Sequence, residues 1–323
     1  MRAVLATRPG DPTALSVRDV KDPTPGPGEI VLLVRSTTVN FADYKSLRDG
    51  TEKSGNAFVP GHEAVGIVVD VGAGVQEFKV GQRVGAITNG GSYCEYAVAS
   101  AYLAVPIPDR LADERVVGLI ALATAMNVLT YCGRLQRGET VLVHAAAGGV
   151  GSTAVQMAQA LGARMVIGTV GSEAKTDLVH RLGGIPLVTD YGPGVVNAVR
   201  EILGEGADVV IDSVGGPALA ASCSCLAPFG RLVICGHTAG REGNVATFEL
   251  QQRNQAVLGY RGRLLLKHRP TVLMSAIQNG LDLILSRQIE VVVGARMSLE
   301  DAGEALRRLG QRESVGKLVI QVT

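Results

Sequence analysis

The sequence has little of what marks a disulfide-stabilised, metal-clustered or polyanion-binding protein. Its 323 residues carry a net charge of +1, five cysteines and no long run of Lys or Arg. An odd number of irregularly spaced cysteines predicts reduced thiols, and the Cys223-x-Cys225 spacing is neither a metal nor a redox motif. A near-neutral chain without a basic, aromatic-rich pattern argues against nucleic acid and anionic membranes as partners. We therefore expect a small-molecule partner.

The chain also lacks the pattern of a secretion signal. Residues 1–4, Met-Arg-Ala-Val, enter a strand-like pattern directly, without a basic stretch and an apolar core. This start and the free thiols predict a cytoplasmic protein. The uncharged stretch from Val116 to Cys132 approaches membrane-spanning length, but it contains Thr124, Asn127 and Thr130. We interpret it as a buried helix at a domain junction.

What is present is a phosphate-binding pattern at residues 140–151, Thr-Val-Leu-Val-His-Ala-Ala-Ala-Gly-Gly-Val-Gly. A short buried strand runs into a glycine turn, and a helix follows. Ala146, Gly148 and Gly151 hold the three positions where small residues allow a sharp turn, the close approach of a pyrophosphate, and packing of the helix on the strand. The helix start, at Gly149 and Val150, presents free N–H groups and a positive dipole end to phosphates.

A glycine turn alone could be merely structural, so its context matters. A second apolar run, Met165–Val170, follows at the distance expected for the next strand of a dinucleotide-binding fold. This spacing favours a dinucleotide site over a structural turn.

Two patterns divide the chain into domains. Up to about Pro108, short strands alternate with Pro- and Gly-rich turns, which is typical of a compact β-rich domain. Its predicted strands are Arg2–Ala6, Leu15–Val20, Glu29–Val39, Ala64–Val71, Arg83–Ile87 and Tyr93–Ala99. From about Leu119 onward, strands alternate with helices, which predicts an α/β doubly wound parallel sheet. Its predicted strands are Val141–His144, Met165–Val170, Leu187–Asp190, Asp208–Asp212, Arg231–Cys235 and Ala256–Tyr260.

The tail is too short to bury a core of its own. Its predicted elements are the helices Thr271–Ser286 and Leu299–Leu309 and the strands Val291–Val293 and Lys317–Val322. We expect residues 261–323 to complete the first domain, residues 1–118, around a nucleotide domain of residues 119–260.

Six stretches carry a family resemblance along nearly the whole chain. They are residues 39–43 (Val-Asn-Phe-Ala-Asp), 59–66 (Val-Pro-Gly-His-Glu-Ala-Val-Gly), 80–84 (Val-Gly-Gln-Arg-Val), 141–151, 167–172 (Ile-Gly-Thr-Val-Gly-Ser) and 212–215 (Asp-Ser-Val-Gly). In this order they resemble the zeta-crystallin-like quinone oxidoreductases of the medium-chain dehydrogenase/reductase superfamily. The resemblance implies a GroES-like catalytic domain, a Rossmann domain, an active site in the cleft between them, and a homodimer with the sixth Rossmann strand at the sheet edge.

The same superfamily contains zinc alcohol dehydrogenases, which share Gly61-His62-Glu63. By resemblance, their first cysteine ligand falls on Asn40 and a second cysteine falls near Ala121, so His62 is left without thiolate partners. We expect no metal. Without one, alcohol oxidation loses its main source of transition-state stabilisation, whereas reduction of an activated double bond does not need it.

The residues after the second Rossmann strand favour NADPH. No carboxylate occurs in Thr169-Val-Gly-Ser172, where NAD enzymes bind the ribose diol. Ser172 and Lys175 can bind a 2′-phosphate, although Lys175 could be a solvated helix lysine and Glu173 opposes an anion. By resemblance Tyr191 lies near the same phosphate. The resemblance places five further residues near the coenzyme: Ser213, Val214, His237, Thr238 and Arg312.

The resemblance also places Asn40, Phe41 and Tyr44 in the segment beside the nicotinamide. Asn40 could hydrogen-bond a substrate carbonyl. Tyr44 could donate to a developing enolate oxygen or form an aromatic wall, and Asp43 is expected to be structural. The predicted function is a zinc-independent, NADPH-dependent reductase of quinones or α,β-unsaturated carbonyls. Alternatives are a trans-acting enoyl reductase on carrier-bound thioesters, a zinc alcohol dehydrogenase, and a non-enzymatic crystallin-like or RNA-associated protein.

Overall fold

The computed structural model describes residues 1–7, 11, 14–49, 57–192, 194–240 and 242–322. The strands, in chain order, are β1 Arg2–Ala6, β2 Leu15–Asp19, β3 Glu29–Val39, β4 Glu63–Val71, β5 Arg83–Ile87, β6 Tyr96–Ser100, β7 Ala104–Pro106, β8 Thr140–Val143, β9 Met165–Val170, β10 Ile185–Val188, β11 Ala207–Asp212, β12 Leu226–Ile234, β13 Ala256–Gly259, β14 Val293–Met297 and β15 Lys317–Gln321. The helices are α1 Phe41–Arg48, α2 Leu119–Asn127, α3 Gly149–Ala160, α4 Thr176–Arg181, α5 Gly194–Leu203, α6 Pro217–Ser224, α7 Thr247–Gln252, α8 Gly262–His268, α9 Pro270–Leu285 and α10 Ala302–Gly310.

Two compact units divide the chain. Unit 1 comprises Met1–Ile120 and Val291–Thr323, and unit 2 comprises Ala121–Glu290. The division differs from the expected one at residues 261–290, which pack in unit 2. The reason is packing between elements distant in the chain, since α9 at Gly280 lies against Leu122 of α2 and Met157 of α3. A helix whose apolar face is buried there stays with that core.

Unit 1 is built on a seven-stranded sheet with the order β14-β15-β3-β4-β5-β7, with β6 also paired to β3. Strand β15 comes from the tail and runs antiparallel to β3, with Leu318 opposite Val39. The tail therefore contributes a buried strand to the N-terminal domain. This pairing also brings Lys317 next to the residue that follows β3.

Unit 2 contains the predicted α/β fold. Its six strands have the order β10-β9-β8-β11-β12-β13, and every pair is parallel. Strands β8 and β11 are central and almost fully buried, as expected when helices cover both faces of a parallel sheet. The carboxyl ends of all six strands lie at one edge, where ligands bind in such folds. Strand β13 is an outer strand, as predicted.

Four predicted strands start two or more residues away from the observed ones. Strand β6 begins at Tyr96 rather than Tyr93, and β12 begins at Leu226 rather than Arg231. The third Rossmann strand is Ile185–Val188, two residues earlier than expected, because Asp190 forms a turn in which its carboxylate accepts from the Gly192 N–H at 2.8 Å. The tail strand begins at Val293 rather than Val291. Its start is delayed because the Glu290 N–H donates to Gln156 Oε1 of α3 at 2.9 Å.

The apolar segment before β8 forms part of the core. Within the described residues, Asp113–Cys132 is the one helical stretch long and apolar enough to cross a membrane, and 67% of its most apolar window is buried inside the protein. Such burial is typical of a core helix, which agrees with the sequence-based interpretation.

Candidate active site

The turn between β8 and α3 has the geometry of a phosphate cradle. Ala145 takes a positive φ of 51°, and Gly148 caps the helix in an extended conformation. A Cβ on Gly151 would lie 2.2 Å from the Ala145 carbonyl oxygen, so this position requires glycine. The first intrahelical bond runs from the Ser152 N–H to the Gly148 carbonyl at 2.8 Å. The amides before it have no intrahelical acceptor, which makes the helix start a donor set for an anion.

A glycine on the neighbouring strand makes room for Ala146, the alanine at the first position of the glycine pattern. Ala146 is fully buried, and its Cβ would lie 2.7 Å from a Cβ built on Gly168 of β9. The missing side chain at Gly168 therefore leaves room for the Ala146 methyl group. Gly168 on the next strand thus compensates for the extra methyl group of Ala146, and the backbone turn is retained.

A buried chain of hydrogen bonds lies beneath this turn. His144 follows β8, and its Nδ1 is 3.0 Å from Thr169 Oγ1 while its Nε2 is 2.9 Å from Ser222 Oγ. Ser222 Oγ in turn lies 3.1 Å from Asp212 Oδ2. All four side chains are buried. Burial lowers the pKa of His144, with Asp212 opposing, which favours the neutral imidazole. Because the Ser222 hydroxyl donates to Asp212, it is left to accept from His144 Nε2, and Nδ1 then accepts from Thr169.

The predicted 2′-phosphate residues gather at the carboxyl ends of β9 and β10. Ser172 and Glu173 are exposed, and Lys175 is half-buried, with burial lowering the pKa of its ammonium. Tyr191 packs edge-on against the His144 ring at 5.1 Å between centroids. Its hydroxyl lies 3.5 Å from Thr169 Oγ1. The hydrogen-bond chain thus extends from Asp212 to this tyrosine.

The predicted nicotinamide-side residues lie at the next strand ends. Asp212 Oδ1 accepts from the amides of Val214 and Gly215 at 2.7 and 2.9 Å, which fixes the turn after β11. The Thr238 N–H donates to the Ser213 carbonyl at 3.2 Å, which joins this turn to the one after β12. His237 is exposed in that second turn.

In unit 1, Asn40 lies in a buried polar cluster. Its Oδ1 accepts from the Lys317 ammonium at 2.7 Å, and its Nδ2 donates to Glu63 Oε1 at 2.8 Å. Lys317 Nζ is 3.5 Å from the same Glu63 oxygen, and Thr38 donates to it as well. Glu63 Oε2 accepts from the Ile120 N–H at 2.8 Å. Among the described residues, the other Asn40 N–H has long contacts of 3.4 and 3.5 Å to Thr38.

Asp43 forms the second half of this cluster and has the structural role expected of it. Its Oδ2 accepts from the Asn40 N–H at 2.7 Å and from the Tyr93 hydroxyl at 3.0 Å. Its Oδ1 is bound to His62 Nδ1. Burial, followed by the Asp43 charge, raises the pKa of Tyr93 well above its usual range, so the phenol stays protonated and donates.

Tyr44 packs as an aromatic wall. A Cβ on Gly310 of α10 would lie 2.4 Å from Tyr44 Cε2, so the ring lies against that glycine. Phe41 is 5.6 Å away between ring centroids, and the Arg48 guanidinium lies over the Tyr44 ring. Arg312 is exposed just after α10. These contacts favour the wall interpretation of Tyr44 over the proton-donor interpretation.

These unit 1 residues do not fit a catalytic zinc. Such a site takes about three protein ligands, commonly thiolate or imidazole. Asn40 supplies an amide whose oxygen is already bound by the Lys317 ammonium, and that charge opposes a second cation. Within the part of the chain that the structure describes, no group of three or more His, Cys, Asp or Glu residues is placed to hold a metal.

The sequence alone predicts no role for three residues of these clusters. Lys317 is there the first residue of a predicted strand, and His144 and Asp212 are members of longer motifs. Their polar character in otherwise apolar strand ends is the signal that could have identified His144 and Asp212. Nothing local distinguishes Lys317, because its partner Asn40 is 277 positions away.

Comparison with known proteins agrees with this geometry. The family model described as alcohol dehydrogenase GroES-like domain matches residues 26–109, and the one described as zinc-binding dehydrogenase matches residues 149–279. The structure of mycobacterial Rv1454c complexed with NADPH is 33% identical, covers 99% of both chains and has a TM-score of 0.91. Escherichia coli quinone oxidoreductase complexed with NADPH is 28% identical over 99% of this chain and 100% of that one, with a TM-score of 0.90.

A curated relative is much longer than this chain. It is a phenolphthiocerol/phthiocerol polyketide synthase of Mycobacterium tuberculosis, and it is 34% identical over 98% of this chain. The chain spans 14% of that relative's length.

A GroES-like domain together with a parallel six-stranded Rossmann sheet defines a medium-chain dehydrogenase/reductase. Within that superfamily, the chain belongs to the zeta-crystallin-like quinone oxidoreductases.

The Asn40 cluster generates a stability prediction. Lys317→Met should lower the free energy of unfolding by about 3–5 kcal/mol, because it leaves the buried Glu63 carboxylate without its cation. Urea unfolding measures this, with the exposed Lys79→Met as a control expected within about 0.5 kcal/mol of the native protein. Adding Glu63→Gln to Lys317→Met should restore part of the loss. A Lys317→Met protein as stable as the control would contradict the assigned ion pair.

Proposed function

We propose that this chain is an NADPH-dependent reductase that transfers hydride to quinones or to the β-carbon of α,β-unsaturated carbonyls, without a metal. The carrying observation is that the Lys317 ammonium occupies Asn40 Oδ1, at the position where the resemblance puts a thiolate ligand of zinc enzymes. A positive charge there opposes a metal that could activate an alcohol. Conjugated acceptors need no such activation. They need orientation beside a hydride donor and stabilisation of negative charge on oxygen.

Unit 2 supplies the residues that fit the coenzyme. The amides at Gly149, Val150 and Gly151 suit the pyrophosphate, since they precede the first intrahelical bond. Ser172, Lys175 and Tyr191 suit the 2′-phosphate, and the strand end before them has no carboxylate to repel it. When bound, NADPH supplies the hydride. Ser213, Val214, His237 and Thr238 form the two joined turns assigned to the nicotinamide side.

Unit 1 supplies the residues assigned to the acceptor. Lys317 and Glu63 hold the Asn40 amide in one orientation, and its loosely engaged N–H is the donor that remains for an acceptor oxygen. Because this donor is fixed before the reaction, it needs no reorganisation as charge develops. Phe41 and Tyr44 form an apolar wall, and Arg312 is assigned to the ribose-phosphate.

The reaction can be tested with two classes of substrate. The protein should oxidise NADPH with simple quinones or conjugated enones in the presence of a chelator, while simple alcohols with NADP give negligible rates. Asn40→Ala should raise the activation free energy of kcat by about 2.7–4 kcal/mol, as for loss of a preorganised donor. Tyr44→Phe should retain kcat, because it keeps the ring on Gly310. Efficient alcohol oxidation would contradict the chemistry, and an inactive Tyr44→Phe would reassign Tyr44 as the donor.

Coenzyme preference follows from the end of β9. Lys175→Ala should weaken NADPH binding about tenfold to a hundredfold and leave NADH nearly unchanged, because a charge-assisted contact to phosphate contributes about 1.5–3 kcal/mol. Glu173→Gln is the matched control, and it should strengthen NADPH binding by removing an adjacent negative charge. Calorimetric titration with both coenzymes measures these effects. If NADPH and NADH binding were weakened equally, the assignment of Lys175 to the 2′-phosphate site would be wrong.

We also propose a cytoplasmic homodimer. Strand β13 is an outer strand of the unit 2 sheet, and its apolar residues are only half-buried. Such an edge pairs readily with its symmetry mate, which would continue the sheet across a twofold axis. Light scattering at micromolar concentration should report twice the monomer mass. A monomer under these conditions would rule out this assembly.

A further inference from the structure

One segment of unit 2 has a charge pattern unlike the rest of the chain. Between Glu249 and Asp282 the sequence contains no Asp or Glu. The same interval holds four cations in and around α8, Arg261, Arg263, Lys267 and Arg269, together with His268. Gly262 and the leucines at 264–266 interrupt them, so they form no long basic run, which is why composition alone does not reveal them.

The structure exposes these side chains together. Arg263 and Lys267 are four residues apart on one helix face, and Leu264 lies beside them with 55% of its surface exposed. Arg269 donates to the Tyr131 hydroxyl at 2.6 Å, which adds an exposed aromatic ring. We call this surface the α8 basic face, composed of Arg261, Arg263, Leu264, Lys267, His268, Arg269 and Tyr131.

None of these cations forms an ion pair with an acidic residue among those the structure describes. Several arginines elsewhere do form ion pairs. Arg83, Arg231 and Arg296, for example, each bind a carboxylate. A surface with this many unneutralised cations has a positive potential that attracts an anionic partner.

The topology places this face at the coenzyme edge of the sheet. Arg261 follows the carboxyl end of β13, and β13 is parallel to β12, whose own carboxyl end leads to His237. Strand β13 is three strands from β8 in the sheet order and four from β9. At about 4.8 Å per strand, it lies about 14 Å from the phosphate turn and about 19 Å from the 2′-phosphate corner. The face therefore flanks the nicotinamide side.

The shape of the face selects the kind of partner. Helix α8 has seven residues and is about 10 Å long, which is too short to follow a nucleic acid backbone over several phosphates. It also lacks the long apolar side that membrane-surface helices insert. Exposed Leu264 and Tyr131 among arginines resemble the centre of a protein interface, where aromatic residues and Arg are enriched.

We propose that the α8 basic face docks an acidic carrier protein that presents an enoyl thioester to the nicotinamide side. This inference rests on the proposed reductase function and specifies its substrate class. In the reaction, hydride adds to the β-carbon and a solvent proton to the α-carbon. The carbon–carbon double bond is reduced, NADPH becomes NADP⁺, and the thioester bond stays intact.

The test compares one acyl group on different carriers. The but-2-enoyl group is presented on a bacterial acyl carrier protein, on coenzyme A, and on N-acetylcysteamine, which has no charge. The variant Arg263→Glu/Lys267→Glu reverses the charge at two positions of the α8 basic face. The matched control, Arg137→Glu/Arg164→Glu, makes the same charge change at exposed positions near the amino ends of β8 and β9. Melting temperatures establish that both variants are folded.

We expect the face variant to lose about tenfold or more in kcat/KM with the carrier protein, while N-acetylcysteamine stays within about twofold and the control variant matches the native protein. Added salt should weaken turnover of the carrier-bound substrate only. Fluorescence anisotropy of labelled carrier protein should report the same loss of binding, independently of turnover.

Two results would overturn the docking proposal. One is that the native protein, the face variant and the control have the same kcat/KM with the carrier-bound substrate and bind the carrier protein equally well. The other is a loss confined to the coenzyme A substrate, which would assign the cations to the phosphates of coenzyme A. A native protein that reduces none of the three substrates, yet binds the carrier protein through the face, would instead contradict the proposed reductase function on thioesters.

Discussion

The coenzyme half of the molecule depends on one buried chain of hydrogen bonds, running from Asp212 through Ser222 and His144 to Thr169. It ties the carboxyl ends of three adjacent strands to each other directly beneath the phosphate turn. Each of these groups is costly to bury alone, because an unpaired polar atom loses its hydration without replacement. A neutral imidazole that accepts on one side and donates on the other satisfies both neighbours, so the chain is complete only with His144 in this tautomer.

Unit 1 has a corresponding constraint around Asn40. Lys317, Glu63 and Asp43 hold the residue from three directions, so its amide is oriented by charge rather than by a metal. A buried ion pair contributes little net stability compared with apolar packing, but it imposes one geometry on the groups it contacts. In the proposed reaction, that geometry leaves one amide N–H for an acceptor oxygen.

The two constraints are internal, whereas the α8 basic face belongs to the surface. Leu265 and Leu266 of α8 are half-buried, whereas the outward residues of the helix are exposed. Concentrating cations there, without carboxylates nearby, is therefore unconnected to folding. Outward residues of this kind can differ between chains that share one fold, since function resides in sites carried by the fold.

The sequence by itself determined the α/β class, the parallel order of strands and helices, the phosphate turn and the acid-free end of β9. These are local properties, because a few adjacent residues decide backbone conformation and helix start. The assignment of residues 261–290 to unit 2 is not a local property, since it depends on α9 packing against Leu122 and Met157. Only the tertiary structure decided that Gly168 leaves room for Ala146, that Tyr44 lies on Gly310, and that Lys317 meets Asn40. Each of these contacts joins residues that are distant in the chain. The pattern of a single sequence does not indicate which distant residues pack together.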